Sequence, residues 1–305
     1  MWEKQGLLVV PNPEISWLST YCGACFVFDN THLLYLTGRN NQNQSEIGTF
    51  EICQDTEGRL TLKKPSASPI FRVGELGTFD QDGVSYPWLL KFNQEIHCFY
   101  VGWYSGGRTR FQNFLGRAIS PVGETDFSKR SKVPLIDRTD EMPYGSGSST
   151  VIQIGGYYYL YYTSFVGWIR KNNVITPSYN IKFTRSNDLV NWEKHHRTAI
   201  DFEDESETII GKPMVRFQSG KYVMWYSYRG VNYRIGVADS TDGILWQRKD
   251  SEVGIDVSKT GWDSEMIEYA HVFELGNNLY MLYNGNGYGK SGLGYAIWRE
   301  THATQ

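Results

Sequence analysis

Five copies of one strand pattern run through this 305-residue chain, and a repeat of that period restricts the fold more than any other feature. An aromatic strand ending in a small or polar pair recurs as LLYLTG around Tyr35, CFYVGW around Tyr100, LYYTSF around Tyr162, MWYSYR around Tyr226 and MLYNGN around Tyr283. The tyrosines stand 65, 62, 64 and 57 residues apart. A second strand follows each: IGTFEI from Ile47, LGRAIS from Leu115, IKFTRS from Ile181, IGVADS from Ile235 and LGYAIW from Leu293. Two of these run into the same turn and strand, SNDLVNWEK from Ser186 and STDGILWQR from Ser240, and SPVGETDFSKR from Ser120 is a degenerate copy. An apolar segment precedes each aromatic strand, so every unit holds about four strands, joined at turns such as Asp29-Asn30, Gly155-Gly156 and Gly276-Asn277. Four-stranded units repeated radially make a β-propeller. The expectation is therefore an all-β, five-bladed β-propeller of four-stranded blades around a central channel, one domain over residues 1–305. No window shows sustained helical periodicity, and a two-sheet sandwich gives no reason for a repeat of about 60 residues.

Composition narrows the function classes. Thirty Lys and Arg against 33 Asp and Glu give a formal net charge of −3, which argues against binding a nucleic-acid backbone. No apolar run approaches the roughly 18 residues of a membrane helix, and mean hydropathy is −0.44. The first residues lack the basic and apolar regions of a secretory signal, so a cytoplasmic location is expected. Cys22 and Cys25 form a CxxC, but no second pair or nearby His completes a zinc set, and the stretch reads as buried, reduced strand thiols.

In a propeller the first strand of each blade lines the axis. Counting 13 residues back from the tyrosines matches Pro87, Ser149, Pro213 and Ala270 across blades two to five, and five further back stand Asp82, Tyr144, Thr208 and Glu265. A shift of one residue adds Glu207 to this ring. Asp82, Glu207 and Glu265 are the catalytic candidates, because glycoside cleavage needs a protonated acid at the leaving oxygen and an ionised carboxylate opposite. Arg39, Lys212 and Arg229 are candidate contacts for an anion or for hydroxyls, and Trp103 and Tyr144 for stacking on a sugar face. Asn284, just before the glycine-rich loop Gly285–Gly292 that reads as a hairpin at the channel mouth, is a further candidate for substrate hydroxyls, and Gly167–Tyr179 reads as a polar insertion walling the site.

The segments GTFDQDGVSYP (Gly77 to Pro87), SETIIGKP (Ser206 to Pro213) and GWDSEMIEYAHVF (Gly261 to Phe273), with the repeated turn-and-Trp motif, resemble the five-bladed propeller glycoside hydrolase-like superfamily. That superfamily includes arabinanases and xylosidases of family 43, invertase-like enzymes of family 32 and mannoside phosphorylases of family 130. The resemblance is one of blade pattern over nearly the whole chain, nearest to uncharacterised bacterial members found with surface polysaccharide genes. It implies a carbohydrate-active enzyme with a small-molecule or oligosaccharide substrate. By position Asp82 resembles the second-blade acid and Glu207 the proton donor. The first inner strand, Thr20 to Cys25, carries no carboxylate where such enzymes keep a base or nucleophile. Three readings stay open: Asp263 or Glu265 as the base, phosphorolysis or transfer without a protein base, and a glycan-binding propeller without turnover. No cofactor is implied, except that a last-blade His in arabinanase-like enzymes holds a central water or calcium ion, and His271 stands in a compatible position.

Overall fold

A computed structural model describes residues 1–171 and 173–300. Its strands fall into five antiparallel units of four. The first is β2 (Tyr21–Val27), β3 (Leu33–Arg39), β4 (Ser45–Gln54) and β5 (Leu60–Pro65); the second is β6 (Gly83–Phe92), β7 (Glu95–Ser105), β8 (Phe111–Pro121) and β9 (Ser128–Lys129). The third is β10 (Ser146–Ile154), β11 (Tyr157–Lys171), β12 (Val174–Ser186) and β13 (Arg197–Ile200); the fourth is β14 (Ile209–Gln218), β15 (Lys221–Arg229), β16 (Tyr233–Ser240) and β17 (Gln247–Arg248). The fifth is built from both ends of the chain: β18 (Glu268–Leu275), β19 (Asn278–Asn284), β20 (Leu293–Trp298), and β1 (Trp2–Val9) paired antiparallel to β20. Units one and two share one parallel pair, Ser45 with Gly83, and units three and four share Tyr179 with Ile209. Helical structure among the described residues is limited to three short 3-10 turns.

Strand register corrects the alignment of the repeats. Each first strand carries a bulge opposite its second strand, and the second-strand residues facing the bulges are Thr37, Tyr100, Thr163, Tyr226 and Tyr283. These lie 63, 63, 63 and 57 residues apart, so Tyr35 and Tyr162 are not the equivalents of the other three tyrosines. The residue just before each bulge is Cys22, Ser85, Ser146, Gly211 or Glu268, and the residue just after it is Cys25, Trp88, Ser149, Met214 or His271.

The first strands adjoin one another in sequence order, with β18 adjoining β2. Their inner edges leave backbone groups unpaired by any ladder, and side chains from the neighbouring unit take them up. Trp88 Nε1 donates to Val151 O at 3.0 Å, Thr150 Oγ1 to Pro213 O at 2.7 Å, and Lys212 Nζ to Ala270 O at 3.2 Å. Between the fifth and first units, Asn284 Nδ2 donates to Cys22 O at 2.8 Å, and His271 Nε2 lies 2.9 Å from both the N–H and the carbonyl of Val27. Aromatic and aliphatic side chains pack between the units, with Trp17, Tyr161, Tyr280 and Phe273 almost wholly buried.

Candidate functional site

Three bulge residues, Tyr86, Lys212 and Tyr269, hold left-handed φ values of 53°, 54° and 61°. A side chain other than glycine pays for that conformation, so the surroundings must fix it. A hydroxyl of the preceding unit does so each time: the N–H groups of Tyr86 and Lys212 donate to Thr37 Oγ1 and Thr163 Oγ1, both at 3.0 Å, and that of Tyr269 donates to Ser227 Oγ at 2.8 Å. Pinned bulges re-aim side chains away from the regular strand alternation. Two of the three belong to the tyrosine cluster described next, and the third, Lys212, is buried.

Tyrosines from all five units converge around Glu268. The Tyr86 and Tyr269 rings meet edge to face at 5.2 Å, Tyr269 lies 6.2 Å from Tyr233, and Tyr233 lies 5.9 Å from Tyr288. The Tyr179 and Tyr233 hydroxyls are 2.5 Å apart. Tyr21 completes the cluster from the start of β2, within electrostatic reach of both Glu268 and Tyr288. Glu268 itself is 0% exposed, and neither carboxyl oxygen has a hydrogen-bond partner among the described residues. Burial drives its pKa well above the usual carboxylate range, while Tyr269 and the Arg229 guanidinium act in the opposite direction. Burial thus favours the neutral, proton-bearing form of Glu268 over the carboxylate. Burial also raises the phenols of Tyr86, Tyr233 and Tyr269, and that of Tyr179 to about 12, so these hydroxyls stay protonated.

Two arginines flank the cluster. Arg39 lies over the rings of Tyr21 and Trp103, at 4.9 and 5.3 Å, while Trp103 Nε1 donates to Ser45 Oγ at 2.5 Å. Arg229 lies 5.2 Å over Tyr233 and donates to the Tyr288 hydroxyl at 3.2 Å. Trp168, on the hairpin that continues β11 and β12, packs at 5.5 Å from Phe111. The stretch expected as a polar insertion is regular paired strand as far as Arg170 and Ile175.

The carboxylates proposed from the sequence have other surroundings. Glu207 is buried but held by Arg248 through two bonds, at 2.6 and 2.8 Å, and accepts the Glu203 N–H. Glu265 is exposed; its backbone binds Asn286 and Arg234. Asp263 is buried against Lys4 at 2.7 Å and the Tyr283 hydroxyl at 3.0 Å. Asp82 is half-buried just before β6, its Oδ2 accepting the Ser105 N–H at 2.6 Å. Glu207 and Asp263 are thus buried but paired, Glu265 is exposed, and Glu268 is the acid buried without a hydrogen-bond partner among the described residues, with Asp82 placed just before the second unit. Glu268 escaped the count because its equivalents before the bulge are Cys22, Ser85, Ser146 and Gly211, which carry no repeated acidic signal. The signal available was a carboxylate inside an otherwise apolar first-strand segment, IEYAHVF.

Of the remaining candidates, Tyr144 is exposed, and Asn284 is fully buried with its amide spent on Cys22 O and Gly292 O. Lys212 and His271 are buried, Lys212 against Ala270 O and His271 against the Val27 backbone. Burial lowers the Lys212 pKa to about 8, and burial together with Lys212 lowers that of His271 to about 3. No group of three or more His, Cys, Asp or Glu side chains among the described residues is arranged to hold a metal ion, and the cationic Lys212 beside His271 suits calcium poorly. All four cysteines are free, and burial pushes the Cys25 thiol up to about 12.

No family model matches the chain. Among solved structures, a complex of BT0996 with RGII superposes with a TM-score of 0.73 at 16% identity, over 98% of this chain and 92% of that one. A thermostable family-43 glycoside hydrolase gives 0.68 at 18% identity over 96% and 94%, and a structure from the family 130 mannoside phosphorylases, which contain hydrolases of β-1,2 mannosidic linkages, gives 0.67 at 16% over 98% and 94%. The fold is that of the glycoside hydrolase-like propellers. Two curated proteins of Mycobacterium tuberculosis, uncharacterized protein MT1551 of strain CDC 1551 / Oshkosh and uncharacterized protein Rv1502 of strain ATCC 25618 / H37Rv, are each 34% identical over 299 residues, covering 97% of this chain and 98% of their own. With that identity over nearly the full length of both, the chain belongs to the same family as these two uncharacterised mycobacterial proteins.

Proposed function

We propose that the five units close as the blades of one propeller and that the protein is a carbohydrate-active enzyme cleaving a glycosidic bond, with Glu268 as proton donor. The observation that carries this reading is a wholly buried, unpaired carboxyl group inside a cluster of tyrosines drawn from five units. Tyrosine faces suit the apolar faces of a sugar ring and their hydroxyls its polar edge. In the proposed step the Glu268 proton passes to the glycosidic oxygen as its bond to the anomeric carbon breaks, and an attacking oxygen bonds to that carbon. For hydrolysis the attacking group is water, and its proton passes to Asp82. Phosphorolysis is the second reading, favoured by the first unit: its inner strand Tyr21–Val27 offers no carboxylate, and a phosphate oxygen attacks without a protein base.

Aryl glycosides, assayed with and without inorganic phosphate, test this. Glu268→Gln is expected to lower kcat by a factor of about 10² or more with Tm unchanged, in line with the contribution of a positioned acid. Glu207→Gln is expected to lower Tm instead, because Arg248 then loses a buried partner. Full activity in Glu268→Gln would overturn the assignment, and sugar binding without turnover in the wild type would leave a glycan-binding propeller.

A further inference from the structure

Acidic side chains are unevenly spread along the chain. Residues 96–123 and 142–187, runs of 28 and 46, contain no Asp or Glu but seven Lys and Arg, whereas elsewhere an acid falls about every seven residues. The fold brings the two runs together at the end of the molecule where the tyrosines cluster. The β7–β8 turn and the β11–β12 hairpin meet through Phe111, whose ring lies 6.3 Å from Phe165 and 5.5 Å from Trp168. Beyond Phe165 and Tyr179 the strands of that hairpin pair only with each other among the described residues, so a two-stranded ribbon runs about 13 Å past Tyr179. A lone ribbon is marginally stable in water, and exposed strands ordinarily carry polar or charged side chains. This one exposes Val166 and Ile169, each by 38%, and Val174 by 59%, with Arg170 between the last two and Arg108 and Arg110 exposed on the neighbouring turn. The acid bonded to the hairpin, Asp201, sits at its base, where it accepts the Asn180 amide at 3.0 Å.

We infer that these two tips dock the protein on an anionic lipid bilayer, the aliphatic side chains entering the interface and the arginines meeting the headgroups. A bilayer of that kind presents negative charge at its surface and hydrocarbon just beneath, and the adjoining tips present guanidinium groups beside branched aliphatic side chains. A soluble polyanion offers charge but nothing to cover Ile169 and Val174. The net charge of −3 gives the segregation its reason: a chain with excess acids is repelled by an anionic surface unless the face within a Debye length is clear of them. β12 carries Val174 and, five residues on, Tyr179 of the cluster, so a seated ribbon holds the cluster within a ribbon's length of the headgroups, whatever bond is cleaved there.

The test is co-sedimentation of the full-length protein with vesicles of phosphatidylcholine, alone and mixed with phosphatidylglycerol. Binding to the mixed vesicles is expected, weakening as salt rises, with little binding to phosphatidylcholine alone. Arg108→Gln, Arg110→Gln and Arg170→Gln should each weaken it about five-fold. The double variant Ile169→Asn, Val174→Asn should weaken it about 10-fold or more at unchanged Tm, since both side chains already face water in the free protein. Phe217→Asn, which removes an exposed ring near the β14–β15 turn at the other end of the strands, should bind as the wild type does. No vesicle binding, equal binding to both vesicle types, full binding by the tip variants, or an equal loss in Phe217→Asn overturns the inference. So does displacement from the vesicles by heparin together with heparin binding that ignores the Ile169 and Val174 changes, which would mark a site for a soluble polyanion.

Discussion

Lys212 and His271 are both buried within electrostatic reach of each other, with one hydrogen bond from the lysine to Ala270 O and the Val27 backbone as the ring's partner. Both are depressed by burial, and each is a cost of folding that appears only when the group would be charged in the unfolded chain. For His271 the native value is about 3 against an ordinary 6.5, so the unfolded state binds the extra proton between those limits. Stability is complete above pH 6.5 and falls as pH drops toward 3, by up to about 1.4 kcal/mol per pH unit from this one group. Lys212, lowered from 10.5 to about 8, makes stability rise with pH across that alkaline window by the same rule. Replacing His271 with Gln should remove about one proton from the slope of Tm against pH between 4 and 6.5. An unchanged slope would mean that the ring protonates in place. The acids show the same dependence on surroundings. Glu207 was legible as a carboxylate near the mouth, but its bidentate partner Arg248 lies 41 positions along the chain, where no local pattern connects them. Glu268 was legible only as a residue type out of place.

At the scale of the strand, the repeat was readable because its most regular feature is steric. Gly116 and Gly236 on the third strands face Tyr100 and Tyr226 of the second, and a Cβ at Gly236 would sit 2.5 Å from the Tyr226 ring. Each of those rings in turn donates its hydroxyl to an aspartate, Tyr100 to Asp80 at 2.9 Å and Tyr226 to Asp250 at 2.5 Å. The third unit keeps neither partner: Thr163 stands for the tyrosine, and Ile181 faces it where the others have glycine. In the first unit Thr37 replaces the tyrosine and faces Ile47, while the next residue, Gly48, remains because the Trp17 ring fills the space beside it. The IG and LG pairs therefore marked the third strands correctly, whereas the tyrosine count slipped by one or two residues in these two units, since there the aromatic had moved along the strand. Gly116→Ala drives a methyl group into the Tyr100 ring and should cost about 1 to 3 kcal/mol in chemical denaturation. Gly167→Ala, with no atom within 4 Å of its added Cβ, should stay within about 0.5 kcal/mol. Equal losses for the two would remove the steric account of the motif.

Across the whole molecule, the sequence showed five repeats but not how the fifth is completed, because β1 lies in a segment with no repeat signature. Residues 2 to 9 supply the fourth strand to β20, so the last unit is assembled from chain ends about 290 residues apart. That contact does more than cover a sheet edge. Lys4, on β1, is the counter-ion of buried Asp263, which also receives the Tyr283 hydroxyl, and Trp2 packs edge to face on Trp298 at 5.2 Å. Asp263 belongs to the same segment as Glu268, so the strand that joins the ends also braces the wall of the site. Deleting residues 1–9 exposes the β20 edge and leaves a buried carboxylate without its cation, a loss of about 3 kcal/mol or more from the ion pair alone. The truncated chain should therefore melt at a much lower temperature and lose binding in the tyrosine cluster, and a synthetic peptide of residues 1–10 added in trans should restore both by pairing with β20. Should the truncated chain keep its Tm while the peptide has no effect, the terminal strand would be dispensable, and the first-strand contacts between neighbouring units would by themselves hold the fold together.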